Sequence, residues 1–256
     1  MKLGTLAHRQ TRFRNLLASA TAAACMLFAS SAQSALLGRD ISGHAVAGSD
    51  ASAVFLYDTS LNITWLRDAN VNGATHWDGA MSWASGYSLG GFNDWRLPTM
   101  VDSGAPGCDF STISMGTDCG YNVVTSANEM AHLWYETLGN KAYCAPGTGT
   151  PCARQAGWTA TPNPGDFLNM QIYDYWFGVE VNGPFPDAWH FLFQLGHQDA
   201  HFKSNEYYAM AVRDGDVLVG GGGGGGGGTV PEPGTLVLTA LALASLGLLR
   251  RRVLEK

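Results

Sequence analysis

The sequence predicts an α+β domain set between two targeting segments, and three observations carry that prediction. Two stretches between residues 76 and 138 place apolar side chains at helical spacing. Two later stretches, one around Trp189 and one around Tyr207, alternate with a period of two. Four cysteines remain once the amino-terminal leader is set aside, the even count of an exported chain held by disulfides. Helices early and an aromatic antiparallel sheet late is an α+β order, not the strand–helix alternation of a parallel sheet.

The leader comes first. Lys2, Arg9, Arg12 and Arg14 form a basic n-region, residues 15–31 an apolar, Ala-rich run, and Ala32-Gln33-Ser34 a small-x-small site before Ala35. The run is short and the small-residue site follows directly. A cleavable secretory signal over residues 1–34 is therefore expected, not a membrane anchor. Cys25 leaves with it. Of the three pairings open to Cys108, Cys119, Cys144 and Cys152, Cys108–Cys119 and Cys144–Cys152 are favoured. Each closes a short loop rich in Gly, Ser, Thr or Pro. A zinc site ranks below, because neither pair has Cys-x-x-Cys spacing and no His sits at ligand distance.

The domain is expected over residues 35–219. Residues 53–57 and 63–66 read as short strands, rich in β-branched and aromatic side chains. Residues 76–87 read as a helix: Trp77, Ala80, Met81 and Ala84 share a face, with Thr75 as N-cap and Asp78 in the first turn. A second helix over 127–138 buries Met130, Leu133, Trp134 and Leu138. Ser126 and Glu129 suit a capping box there, and Gly139 a stop. Trp189, Phe191, Phe193 and Leu195 alternate with His190, Leu192 and Gln194, as Tyr208, Met210 and Val212 do with Tyr207, Ala209, Ala211 and Arg213. Gly196 and the polar residues after it are expected to form the connection.

Residues 35–234 keep seven of the 15 basic side chains against 20 of the 21 acidic ones, a net of −13. Such a surface repels nucleic acid and anionic lipid and suits divalent cations. The glycine run over 220–228 is a flexible tether, placing a linker at 220–229. After it come Pro231-Glu232-Pro233, an apolar stretch over 235–249, and Arg250-Arg251-Arg252. As a helix the stretch spans roughly 22 Å, short for a bilayer core of about 30 Å unless the arginines snorkel. This order over 230–256 resembles the PEP-CTERM sorting signal. The resemblance implies a transmembrane helix before processing and recognition by an exosortase that cleaves near Pro231-Glu232-Pro233. It also implies delivery to the cell surface or extracellular matrix, with the membrane met only through this segment.

Four further stretches belong together. They are Leu61-Asn62-Ile63-Thr64-Trp65-Leu66-Arg67-Asp68-Ala69-Asn70, Trp77-Asp78-Gly79-Ala80-Met81-Ser82-Trp83-Ala84, Gly91-Phe92-Asn93-Asp94-Trp95-Arg96-Leu97-Pro98-Thr99, and Tyr207-Tyr208-Ala209-Met210-Ala211-Val212-Arg213. They resemble the Lcl C-terminal domain family, over most of residues 50–219. The resemblance implies a C-type-lectin-like fold, distantly similar to formylglycine-generating enzymes, and its founding member is an adhesin for sulfated polysaccharides. The Cys108–Cys119 loop departs from the family pattern, in which a helix closely follows Leu-Pro-Thr. Read physically, the Asp94–Thr99 motif is structural: Pro98 fixes a turn, and Arg96 is expected to brace strand against helix through a carboxylate.

Two candidate ligand sets remain. Asp68-Ala69-Asn70-Val71-Asn72-Gly73 copies the first half of a calcium loop, with Asp68, Asn70 and Asn72 as oxygen ligands and Asp78 as the nearest substitute for the missing Glu. Its competing reading is an Asx turn leading into the helix. His197-Gln198-Asp199-Ala200-His201 has the spacing of a helical metal pair, but in a connection that spacing does not place both rings on one face. His197, Asp199 and His201 are accordingly expected to be exposed polar ligand-facing residues. No His-Glu-x-x-His or phosphate loop occurs. The sequence therefore points to a non-catalytic binding module for extracellular polysaccharide or matrix. A self-associating matrix protein and an enzyme acting on extracellular polymer are the alternatives.

Overall fold

The computed structural model describes residues 36–103, 118–146, 151–182, 184 and 186–218. The chain divides after Leu218 into two units, and the described residues all lie in the first. The leader, Cys108, the glycine run and the Pro231-Glu232-Pro233 tail lie outside them.

Among the described residues the domain is α+β, with two antiparallel sheets, two helices and a 3-10 turn at Thr125–Ala127. The five-stranded sheet contains β1 (Leu36–Asp40), β2 (Ala45–Val46), β3 (Ala53–Asp58), β4 (Ile63–Leu66) and β9 (Val212–Asp214), in the order β2-β1-β3-β4-β9. The four-stranded sheet contains β5 (Gly120–Tyr121), β6 (Asp174–Glu180), β7 (Asp187–Leu192) and β8 (His197–Phe202), in the order β5-β8-β7-β6. Helix α1 spans Trp77–Gly86. Helix α2 starts as an α-helix at Glu129–His132 and widens into a π-turn at Leu133–Thr137.

Three buried clusters explain why the strand alternation is blurred. The largest lies between both sheets and α2: Leu56, Ile63 and Trp65 meet Met130, Leu133 and Trp134, and these meet Tyr175, Phe177, Trp189 and Phe191. The second covers the opposite face of the four-stranded sheet, where Trp77, Ala80 and Ala84 of α1 pack on Leu97, Trp176, Ala188 and Tyr207. The third covers the opposite face of the five-stranded sheet with Phe55, Leu66, Trp95, Ala211 and Val217. Strands covered on both faces read as continuous apolar runs, as β3 and β4 do.

Local chemistry departs from expectation at three places. His76, not Thr75, caps α1, its Nδ1 accepting Gly79 N at 3.0 Å. A Cβ at position 79 would come within 2.6 Å of Thr75 Oγ1, so the cap requires glycine there. Asn128, not Ser126, caps α2, its Oδ1 accepting Ala131 N at 2.9 Å. Glu129 is thereby released from a capping box to pair elsewhere. Finally, the segment after Gly196 is strand β8, not a connection. Gly196 ends a tight turn at φ +61°, and a Cβ there would meet Trp134 Nε1 at 2.5 Å.

The Asp94–Thr99 segment joins these parts. Asp94 takes Arg213 on both oxygens, at 2.7 and 2.9 Å, and that contact holds its carboxyl below the usual range. Arg96 exchanges two backbone hydrogen bonds with Val212, each 2.8 Å. Its guanidinium grips Glu129 with two nitrogens, at 2.9 and 2.8 Å, and reaches Asp214 at 2.6 Å. Glu129 also accepts Thr99 N at 2.7 Å. Leu97 enters the second cluster, and Pro98 O accepts Gly178 N from β6.

Cys144 and Cys152 form a disulfide closing a loop of eight residues in sequence separation. Cys119 is disulfide-bonded as well, and its expected partner, Cys108, lies outside the described residues. Among the described residues no helix is long and apolar enough to cross a membrane.

Replacing Glu129 with alanine leaves Thr99 N–H without its acceptor and removes the bidentate carboxylate from Arg96, which keeps Asp214 and Leu97 O. Arg96 is partly exposed, which softens the loss. Urea unfolding is expected to show about 2 kcal/mol lower stability. A change under about 0.5 kcal/mol would mark the pair as an ordinary surface contact.

Candidate functional site

The polar groups gather on one face of the four-stranded sheet. Paired residues of antiparallel strands share a face, and residues two apart on a strand do too. Asp174 pairs with Leu192, Trp176 with His190, His190 with Asp199, Ala188 with His201, and Leu192 with His197. Asp174, His190, His197, Asp199 and His201 therefore stand on the same side. This corrects the expectation for His197 and His201: on a strand, a spacing of four returns to the same face. His197 is also buried, at 8% exposure, whereas His201 is exposed.

The crossing segment 203–208 closes the site. Lys203 O accepts Trp77 N, and Tyr207 exchanges backbone hydrogen bonds with Thr75. The Tyr207 ring lies 4.5 Å from Trp176 and 5.0 Å from His190, centroid to centroid. Its hydroxyl meets His201 Nδ1 and accepts Asn205 Nδ2 at 3.1 Å. The His190 and His201 rings lie 4.5 Å apart with a 30° tilt. Tyr173, 51% exposed, sits edge-on to Tyr207 and Tyr208.

His190 is 2% exposed. Its Nδ1 lies 2.7 Å from Asp174 Oδ1, an ion-pair distance that falls outside hydrogen-bond geometry. Neither ring nitrogen has a hydrogen-bond partner among the described residues. Asp199 Oδ1 accepts Ala200 N at 2.7 Å, and Asp199 Oδ2 stands 3.9 Å from His201 Nε2. One ligand atom each of His190, Asp199 and His201 falls within 4.8 Å of the others. Cys119 Sγ is 3.2 Å from Asp199 Oδ1 but is committed to a disulfide, so it supplies no thiolate.

The other expected residues fall elsewhere. Asp68 Oδ1 accepts Asn70 N at 2.9 Å, the Asx-turn contact, and its Oδ2 accepts Asn169 Nδ2 at 2.9 Å. Asn70 and Asn72 are half-buried. Asp78 sits on the first turn of α1, lining a depression with His76, Pro186, Phe202 and Lys203. Trp65, Trp95, Leu97 and Pro98 are buried, and Asp94, Arg96 and Thr99 make the contacts described above.

Sequence reasoning missed His190, Asp174 and Tyr207. His190 was visible as the outward partner of Trp189 and Phe191, but its neighbours come from three other segments. Reading residues 197–202 as a strand would have supplied the parity that groups them.

The chain's carboxyl end decides its destination. Residues 229–253 match the PEP-CTERM protein-sorting motif. No curated protein and no solved structure matches the chain. The motif includes Pro231, Glu232 and Pro233, and it marks an exported protein of the cell envelope or surface that exosortase processes.

Burial lowers the His197 pKa from 6.5 to about 4, with the Asp199 carboxylate the largest influence opposing it. His197 is thus neutral in the fold at pH 7. The unfolded chain takes up its proton near pH 6.5, so between about 6.5 and 4 the unfolded state binds more protons. With a chelator present, stability is expected to fall as pH drops through that window, by on the order of 1–3 kcal/mol. His197→Gln should flatten the dependence. An equal slope in that variant would assign it to other groups.

Proposed function

We propose that the domain is a non-catalytic binding module for extracellular polysaccharide, displayed from the cell surface or held in the extracellular matrix. The observation that carries the reading is the Tyr173 surface. An exposed ring set edge-on to Tyr207 and Tyr208 offers a flat apolar platform, and Asn205 and His201, which both meet the Tyr207 hydroxyl, bring polar groups to that neighbour. Sugars present this combination, a C–H face bordered by hydroxyls that both donate and accept.

Two further considerations support it. The sorting signal addresses the protein to the cell envelope or surface, and an address facing extracellular polymers supports the reading. The resemblance to the Lcl C-terminal domain family implies a C-type-lectin-like fold in a family founded on a polysaccharide-binding adhesin. The charge argues for a different glycan from that founder's. With 20 acidic against seven basic side chains over residues 35–234, a sulfated polymer is repelled, and a neutral one, or an anionic one bridged by calcium, fits. The surface is small, so single-site affinity is weak and display of many copies supplies avidity. A self-associating matrix role is the second reading, favoured by the exposed apolar side chains of Ile172 and Phe202.

Titration calorimetry of the protein with neutral polysaccharides, with and without calcium, tests the proposal. Tyr173→Ala is expected to weaken binding at least fivefold while leaving the melting temperature unchanged. Absence of heat with every glycan, together with a stable oligomer on size-exclusion chromatography, would favour self-association.

A further inference from the structure

We infer that His190, Asp199 and His201 form a binding site for a divalent transition-metal ion of the zinc class, held between β7, β8 and the crossing segment that carries Tyr207. The inference shares His201 with the polysaccharide reading but does not rest on it: it draws on His190 and Asp199 and not on Tyr173, and its probe is the metal alone.

The first support is the ligand set. Three groups on adjacent strands bring one ligand atom each within 4.8 Å of one another. Two imidazoles and a carboxylate suit zinc and related ions of intermediate softness, while calcium prefers oxygen ligands throughout. Ligands at about 2.1 Å from one tetrahedral ion lie roughly 3.4 Å apart, so an ion must draw these together. His201, with 46% of its side chain exposed, has room to move, and its Nε2 already faces Asp199 Oδ2 at 3.9 Å.

The second support is independent of proximity. His190 is 2% exposed, yet its Nε2 has no hydrogen-bond partner among the described residues. A buried polar group left unsatisfied costs about 1–3 kcal/mol, which a metal bond would offset. The third is the outer layer of contacts. Metal-binding histidines commonly turn their second nitrogen to a carboxylate or another polar group, which fixes the ring. Asp174 stands against His190 Nδ1, and the Tyr207 hydroxyl against His201 Nδ1, leaving Nε2 of each ring to coordinate. Three protein ligands leave a fourth position for water, on the side where His201 is exposed.

The test is equilibrium dialysis of the full-length chain, first stripped with EDTA, against Zn2+, with bound metal measured by atomic emission. One Zn2+ per chain is expected, with no competition from Ca2+. Co2+ should give the intense visible bands of a four-coordinate ion. His201→Ala and Asp199→Asn should each weaken Zn2+ binding at least tenfold and abolish those bands. His201 is exposed, so its variant stays folded even if His190→Ala does not, and circular dichroism checks this. Tyr207→Phe, which acts on His201 only by position, should weaken Zn2+ severalfold while keeping the Co2+ bands. Unchanged Zn2+ affinity in folded His201→Ala and Asp199→Asn would overturn the assignment and place any bound metal on surface histidines such as His44 and His76. So would an octahedral, weakly absorbing Co2+ spectrum in the wild type.

Discussion

Arg96 holds Glu129 with both arms of its guanidinium, and the backbone on either side of it is tied to three other parts of the domain. Val212 of β9 pairs with Arg96, Gly178 of β6 with Pro98, and the first turn of α2 with Thr99. A segment of six residues thus links the five-stranded sheet, the four-stranded sheet and α2. The geometry needs each residue type. Pro98 has no amide to satisfy and is buried, Leu97 fills the cluster under α1, and only an arginine presents a planar fork that matches a carboxylate.

That link has a consequence on the far side of the four-stranded sheet. With one face of the sheet filled by Phe177, Trp189 and Phe191, and α1 covering part of the other, a limited stretch of the second face stays polar. Asp174, His190, His197, Asp199 and His201 stand there, roofed by Tyr207. Burial without complete hydrogen bonding is costly, so such a group of side chains works against the stability of the domain. Sites built for binding carry costs of this kind more often than cores do.

The elements legible in the sequence are those whose pattern is local. The strand at 63–66, the helix over 77–86, the stripe Met130, Leu133, Trp134 and Leu138, and the turn at Gly139 follow from spacing alone. β1 and β2 were not legible, because Leu-Leu-Gly-Arg-Asp and Ala-Val are short and carry no alternation. β8 was hidden for another reason: His-Gln-Asp-Ala-His-Phe has the composition of a loop, and only its pairing with β7 makes it a strand. Losing β8 meant losing the shared face of His197, Asp199 and His201. The bidentate partner of Arg96 was equally beyond reach, since Glu129 fitted a capping box that Asn128 makes unnecessary.

Addressed to the envelope by its tail, the domain must hold its shape without cytoplasmic help, and the Asp94–Thr99 link is the feature on which that depends. Native-state hydrogen exchange reads the link directly. The amides of Arg96, Val212, Gly178 and Glu129 should exchange only through global unfolding, with the same free energy and the same denaturant dependence as the central amides of β3 and β7. Exchange of those four amides by a local opening several kcal/mol below the global value, with β3 and β7 still protected, would contradict the account.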